Sequence, residues 1–168
     1  SPLTDWFSDA QRVQGMLDFE AALAQAQAAC GMVPPEAVGP IVAACRHETI
    51  DFAALGEAAV GAGNLAIPLV KQLTAQVNAR DPNAARYVHW GATSQDAIDT
   101  GLVLQLRGAL DAAETLLEQL LAALALQADR YRDTVMPGRT WMQHALPVTF
   151  GLKLAGTLDA LLRWQQRL

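Results

Sequence analysis

Two short stretches hold side chains whose types and spacing could do chemistry. The first, HWGATSQDAIDT, runs from His89 to Thr100. Gly91-Ala92 breaks the chain direction, and Thr93 and Ser94 then stand where a helical pattern begins. A helix start exposes N–H donors and carries partial positive charge, so it can hold an anion. Two adjacent hydroxyls there could grip a carboxylate. Thr93 and Asp96 also have the spacing of a capping box, so the same residues serve equally as a plain helix cap. The second stretch, GRTWMQHALPVTFG, runs from Gly138 to Gly151. It sets Arg139, Thr140, Gln143 and His144 in an otherwise apolar run. Such a cluster suits a ligand with several carboxylates, arginine supplying charge and the neighbours hydrogen bonds. The alternative is that Arg139 and Gln143 satisfy the turn and the carbonyls of the preceding helix.

The elements that must position these groups read as helices almost throughout. Ser8 and Gln11 have capping-box spacing, and Met16, Leu17, Leu23, Ala24 and Ala28 mark one helical face that Gly31 can end. Glu20 on that helix could face a site or be a solvated or paired carboxylate. Pro34-Pro35 opens a short helix to about Cys45. Asp51 caps a third, ending at Gly61-Ala62-Gly63, and a fourth runs from about Ile67 to Val77. From Ile98 to Tyr131, apolar residues including Leu102, Leu106, Leu110, Leu117, Leu121 and Leu124 recur at spacings of three and four. A helix from Ser94 to about Arg132 would be roughly 55 Å long. Gly101 and Gly108 inside it let another helix come close. Its length suggests a bundle spine shared between subunits. Pro137-Gly138 is expected to turn the chain, and a last helix after Pro147 is expected to run on to Leu168. No strand pattern is evident.

Composition excludes some classes of function. Hydrophobic residues make up 52% of 168, enough for a sizeable core. A net charge of −5 argues against a nucleic-acid partner. No stretch reads as a membrane span or a basic-then-apolar leader. Cys30 and Cys45, the only cysteines, read as buried thiols of a reducing compartment, with a cytoplasmic location expected. The chain opens Ser-Pro without Met, so its start is expected to be missing or processed.

Together the two motifs resemble the first two signature regions of the fumarase/aspartase/adenylosuccinate lyase superfamily. VHWGATSQDAIDTG (Val88 to Gly101) is similar to its Thr-Ser-x-Asp region. GRTWMQHALPVTFG is similar to its Gly-Arg-Thr-His-x-Gln region, with the later Pro and Thr. VQGMLDFEAALAQAQA (Val13 to Ala28), AGNLAIPLVKQL, GLVLQLRGALD and LPVTFGLKLAG extend the likeness, which is greatest for the lactone-forming cycloisomerase branch.

This resemblance implies an all-α fold: a small N-terminal helical domain, residues 1–88, then the first part of a central long-helix bundle, residues 89–168. It implies a homotetramer, a small polycarboxylate substrate, and no metal or other cofactor. It places Thr93, Ser94 and Gln95 with Arg139, Thr140 and Gln143 as substrate ligands, Asp96 remaining mainly structural. His89 is a candidate catalytic residue, as ligand or proton donor; beside Trp90 it could also be structural. Trp141 replaces the family's histidine after Gly-Arg-Thr, and tryptophan cannot transfer a proton in that role. Asn64 falls where adenylosuccinate lyases have another histidine. The third signature, a flexible loop bearing the catalytic base in most of the superfamily, would lie beyond Leu168. The chain is therefore expected to be part of a longer enzyme and inactive alone. A non-catalytic helical oligomerisation module and an adenylosuccinate lyase-type C–N lyase are the alternatives. A straight long helix would also hold the two motifs apart within one chain, so a shared site would need different subunits in a dihedral tetramer.

Overall fold

The structure, a computed structural model, describes residues 2–168 and divides into two compact units, Ser1–Gly108 and Ala109–Leu168. The first unit opens with helices α1 (Pro2–Asp5) and α2 (Asp9–Ala29). It continues through α3 (Pro35–Ala44), α4 (Phe52–Ala62) and α5 (Ala66–Arg80) to the first part of α6 (Ser94–Arg130). Local chemistry sets these limits. The Ser8 hydroxyl accepts from the Gln11 N–H at 3.3 Å, and Gly31, at φ 72°, follows the end of α2. Asp51 accepts from the Ala54 N–H at 3.0 Å to start α4, and Gly63, at φ 75°, closes it. Asn64 accepts from the Ile67 N–H at 3.0 Å, so it is engaged at the start of α5.

The core of this unit joins Val13, Met16 and Leu17 of α2 with Ile41, Leu55, Leu69, Leu73 and Val77, all nearly inaccessible. The face that α6 contributes differs from the expected leucine stripe. Ala97, Gly101, Gln105 and Gly108 are buried, whereas Leu102 and Leu106 are 47% and 42% exposed. Small residues allow close approach, and the Gln105 amide donates to the Trp6 carbonyl at 2.7 Å, which satisfies its burial. Of the two thiols, Cys45 is buried but Cys30 is exposed. Cys30 sits at the C-cap of α2, past the last core-facing turn, so the expectation of two buried thiols fails there.

The second unit holds the rest of α6, a two-stranded hairpin and α7 (Phe150–Gln165). The hairpin, β1 (Val135–Thr140) and β2 (Gln143–Thr149), corrects the strand-free reading. Its turn lies at Trp141-Met142, with Met142 at φ 58°, and not at Pro137-Gly138, which falls within β1 beside a bulge. The Thr149 hydroxyl accepts from the Leu152 N–H at 3.1 Å and starts α7, which ends at Gln165 and not at Leu168. Gly151 lets α7 seat against α6: a Cβ there would meet the Ala128 carbonyl oxygen at 2.5 Å. The Phe150 ring packs on Tyr131, centroids 5.3 Å apart. Among the described residues no helix is long and apolar enough to cross a membrane.

Candidate functional site

In the first unit the candidate residues gather around a tight turn before α6. His89 has φ 56° and Gly91 φ 69°, so two of three consecutive residues are left-handed. Glycine tolerates this; histidine does so at a cost. The turn is fastened to α2. His89 Nδ1 lies 2.6 Å from Glu20 Oε1, and the Gln27 amide donates to the Trp90 carbonyl at 2.6 Å. Glu20 is only 2% exposed, so of the readings its carboxylate allowed, the paired one holds and the solvated one does not. Burial raises the Glu20 carboxyl above the ordinary range, against the pull of the His89 hydrogen bond and charge. The Tyr87 and Trp90 rings pack 5.8 Å apart on the same turn.

Thr93 and Ser94 follow at the start of α6. The carboxylate half of the capping box is formed: Asp96 Oδ2 accepts from the Thr93 N–H at 2.9 Å. Asp96 is thus structural in the sense expected of it. Gln95 donates to Asp99 Oδ1 at 2.6 Å, one turn along its own helix. A carboxylate ligand at this end would therefore meet the two hydroxyls and the helix start before Gln95, whose amide must first leave Asp99.

The other polar group lies in the second unit. The hairpin register sets Arg139 opposite His144 and Thr140 opposite Gln143, so the two cross-strand pairs lie next to each other beside the tip, on alternate faces of the ribbon. Their residues are all exposed, and Trp141 and Met142 at the turn are 89% and 95% exposed. The Thr140 hydroxyl reaches only the Gln143 carbonyl, at a long 3.5 Å. Among the described residues no group of three or more His, Cys, Asp or Glu is placed to hold a metal ion.

The sequence reading missed Gln27. It also left Glu20 without a partner. The available clue was positional: both interrupt the apolar stripe Val13, Met16, Leu17, Ala24 at core-facing positions, and buried polar side chains need partners.

The long helix thus opens on a hydroxyl pair, and the Arg-Thr hairpin follows it in the chain. The family model described as Lyase matches residues 1–168, and the chain belongs to that family. Over all 168 residues it is 61% identical to the 3-carboxy-cis,cis-muconate cycloisomerase of Pseudomonas aeruginosa, covering 37% of that protein. Over 160 residues, 95% of this chain and 36% of the relative, it is 56% identical to the enzyme of the same name from Bradyrhizobium diazoefficiens. The crystal structure of the 3-carboxy-cis,cis-muconate lactonizing enzyme from Pseudomonas putida superposes with a TM-score of 0.97 at 57% identity, over 98% of this chain and 38% of that one. The expected all-α lyase fold and the cycloisomerase likeness are both borne out. The chain spans a little over a third of the length of these relatives.

Proposed function

We propose that the enzyme containing this segment is a cycloisomerase. It closes 3-carboxy-cis,cis-muconate to 4-carboxymuconolactone, in protocatechuate catabolism by the β-ketoadipate route, without metal or organic cofactor. The observation that carries this reading is Trp141, exposed at the hairpin tip between Thr140 and Gln143, where the wider superfamily has a proton-transferring histidine. The kinship with relatives named for this reaction supports it.

In the reaction an oxygen of one substrate carboxylate adds across a conjugated C=C bond. The electron pair of that bond moves to the carbon beside a second carboxylate, and this carbon then takes a proton. No atom is lost. The protein must hold several carboxylates, offset the added negative charge and move one proton. Thr93, Ser94 and Gln95 at the helix start, and Arg139, Thr140 and Gln143 on the hairpin, are the carboxylate ligands in this reading. His89 is the candidate proton donor. The third-region base lies outside these 168 residues, so the segment alone is inactive. The complete enzyme is a cytoplasmic homotetramer whose sites draw Thr93 and Ser94 from one subunit and Thr140 and Gln143 from another. The 37-residue α6, with Leu106, Leu110, Leu116 and Leu120 exposed, supports an assembly built on long helices.

The exposed leucines also favour a purely assembling role, and His89 before the first motif favours adenylosuccinate chemistry. Against the latter stand Trp141 and Asn64, the latter used to start α5. The test is to incubate the complete enzyme with 3-carboxy-cis,cis-muconate, with and without a chelator. Diene absorbance should fall at the same rate in both. Turnover of adenylosuccinate in its place overturns the assignment, and turnover of neither leaves the assembling role.

A further inference from the structure

Among the described residues, the buried side-chain oxygens without a hydrogen-bond partner are Glu20 Oε2 and Gln27 Oε1. Both belong to α2, seven residues and so about two turns apart on one face. Both side chains hold the same turn, Glu20 by the His89 ring and Gln27 by the Trp90 carbonyl. His89 there keeps a left-handed backbone, which a non-glycine residue sustains only where its surroundings over-determine it. Burying a carboxyl with one partner and leaving an amide oxygen unmatched both oppose folding. An apolar pair at positions 20 and 27 would close the core without either cost. What the arrangement secures is the imidazole.

A proton count follows from the geometry. Glu20 is 2% exposed and bonded to Nδ1, so burial favours the neutral form of the pair over the net negative one. The neutral pair holds one proton more than carboxylate with neutral imidazole. It is either carboxylate with imidazolium or carboxylic acid with neutral ring. In both forms Nε2 carries a proton.

We propose that Glu20 is a positioning residue that, with Gln27 bracing the turn, commits Nδ1 of His89 and keeps Nε2 as the proton-bearing nitrogen for the carbon that becomes electron-rich as the lactone closes. This rests on the reading of His89 as proton donor. When Nε2 gives up its proton, the ring keeps or takes the shared proton on Nδ1 and Glu20 is left as carboxylate. The negative charge of the carbanion-like state thus passes to the pair, and solvent later restores the proton. Cys45 is a further titratable group within electrostatic reach of Glu20. Burial, then Glu20 and Asp18, push its thiol up to about 12, so it stays neutral and does not compete. The raised Glu20 carboxyl agrees with a pair that resists losing its proton.

The test uses the complete enzyme with 15N-labelled histidine, His89 being assigned against a His89→Asn variant. At pH 7 its Nε2 should resonate as a protonated nitrogen. A bare Nε2 with the proton on Nδ1 would overturn the proposal, and this measurement requires no Glu20 variant to fold. Glu20→Ala should let the proton distribute over both nitrogens; an unchanged spectrum also overturns it. In the complete enzyme, Glu20→Ala should lower kcat at least tenfold with KM within twofold. A lowered melting temperature with unchanged kcat would mark Glu20 as merely structural. If His89→Asn keeps full kcat, the proton-donor reading fails, while the nitrogen spectrum still decides whether Glu20 fixes the ring.

Discussion

Gly15 of α2 and Gly101 of α6 meet backbone to backbone. A Cβ on Gly15 would lie 2.9 Å from the Gly101 carbonyl oxygen, and one on Gly101 would lie 3.0 Å from the Met16 nitrogen. Neither neighbour is a side chain that can turn aside. Gly101→Ala gains about 1 kcal/mol of helix propensity. Overpacking costs about 1–3 kcal/mol, and with backbone on the far side the cost wins. Denaturant melts should show Gly15→Ala and Gly101→Ala destabilised. Gly56→Ala, inside α4 with nothing within 4 Å of its Cβ, should be stabilised by up to about 1 kcal/mol. Stabilisation by all three would refute the close contact.

The two cysteines should separate by reactivity. In the native chain a thiol reagent should titrate one group, Cys30, and a second only after unfolding. Alkali adds a second measurement. The Cys45 thiol goes from an ordinary 9.0 to about 12, burial being the main cause. Between those values the folded chain keeps a proton that the unfolded chain has released. Stability must therefore fall as pH rises from about 9 towards 12, at up to about 1.4 kcal/mol per unit. Cys45→Ala should flatten that slope; an unchanged slope in this variant would show that other groups set it.

Capping and substrate binding can be told apart at the start of α6. Asp96 makes the bond to the Thr93 N–H, so Asp96→Ala should cost about 1 kcal/mol of stability. Thr93→Val keeps that backbone bond. If its hydroxyl holds substrate carboxylate, KM of the complete enzyme should rise roughly tenfold, about 1.4 kcal/mol, with little change in melting temperature. The reverse pattern, a lower melting point with unchanged KM, would make Thr93 a cap and nothing more.

Most of the helical framework was legible because punctuation and periodicity agreed. Ser8, Gly31, Pro35, Asp51 and Gly63 each sit at the boundary their chemistry marks. Two features escaped. The hairpin has prolines facing each other in its strands and Trp-Met at its turn, the opposite of the usual strand and turn composition. On α6 the leucines mark the regular apolar stripe, yet Ala97, Gly101 and Gly108 face the core of the first unit because closeness matters more there than apolar volume. In the candidate site, the hydroxyl pair and the Arg-Thr group could be read from residue types alone. The Glu20–His89 pair joins residues 69 positions apart, a juxtaposition that helix periodicity does not encode.

Sharing of sites between subunits gives a further test. Ser94→Ala and Thr140→Ala enzymes, each inactive alone, should regain part of the activity when subunits are mixed, since some sites then receive neither substitution. Recovery of none, with mixing verified by native mass spectrometry, would refute the shared site.

Pro137 and Pro147 stand opposite each other in the hairpin. The Phe150 N–H donates to the Thr134 carbonyl at 2.8 Å, and the alternation of an antiparallel ladder from that pair makes Pro137 and Pro147 a non-hydrogen-bonded pair, so the N–H groups that proline lacks are those of the outer edges. Each strand thus has a gap in the row of donors it would offer to a stranger. A small sheet that exposes Trp141 and Met142 at its tip is in this way a poor template for adding further strands. The same prolines that disguise the strands in the sequence protect the molecule from edge-to-edge aggregation.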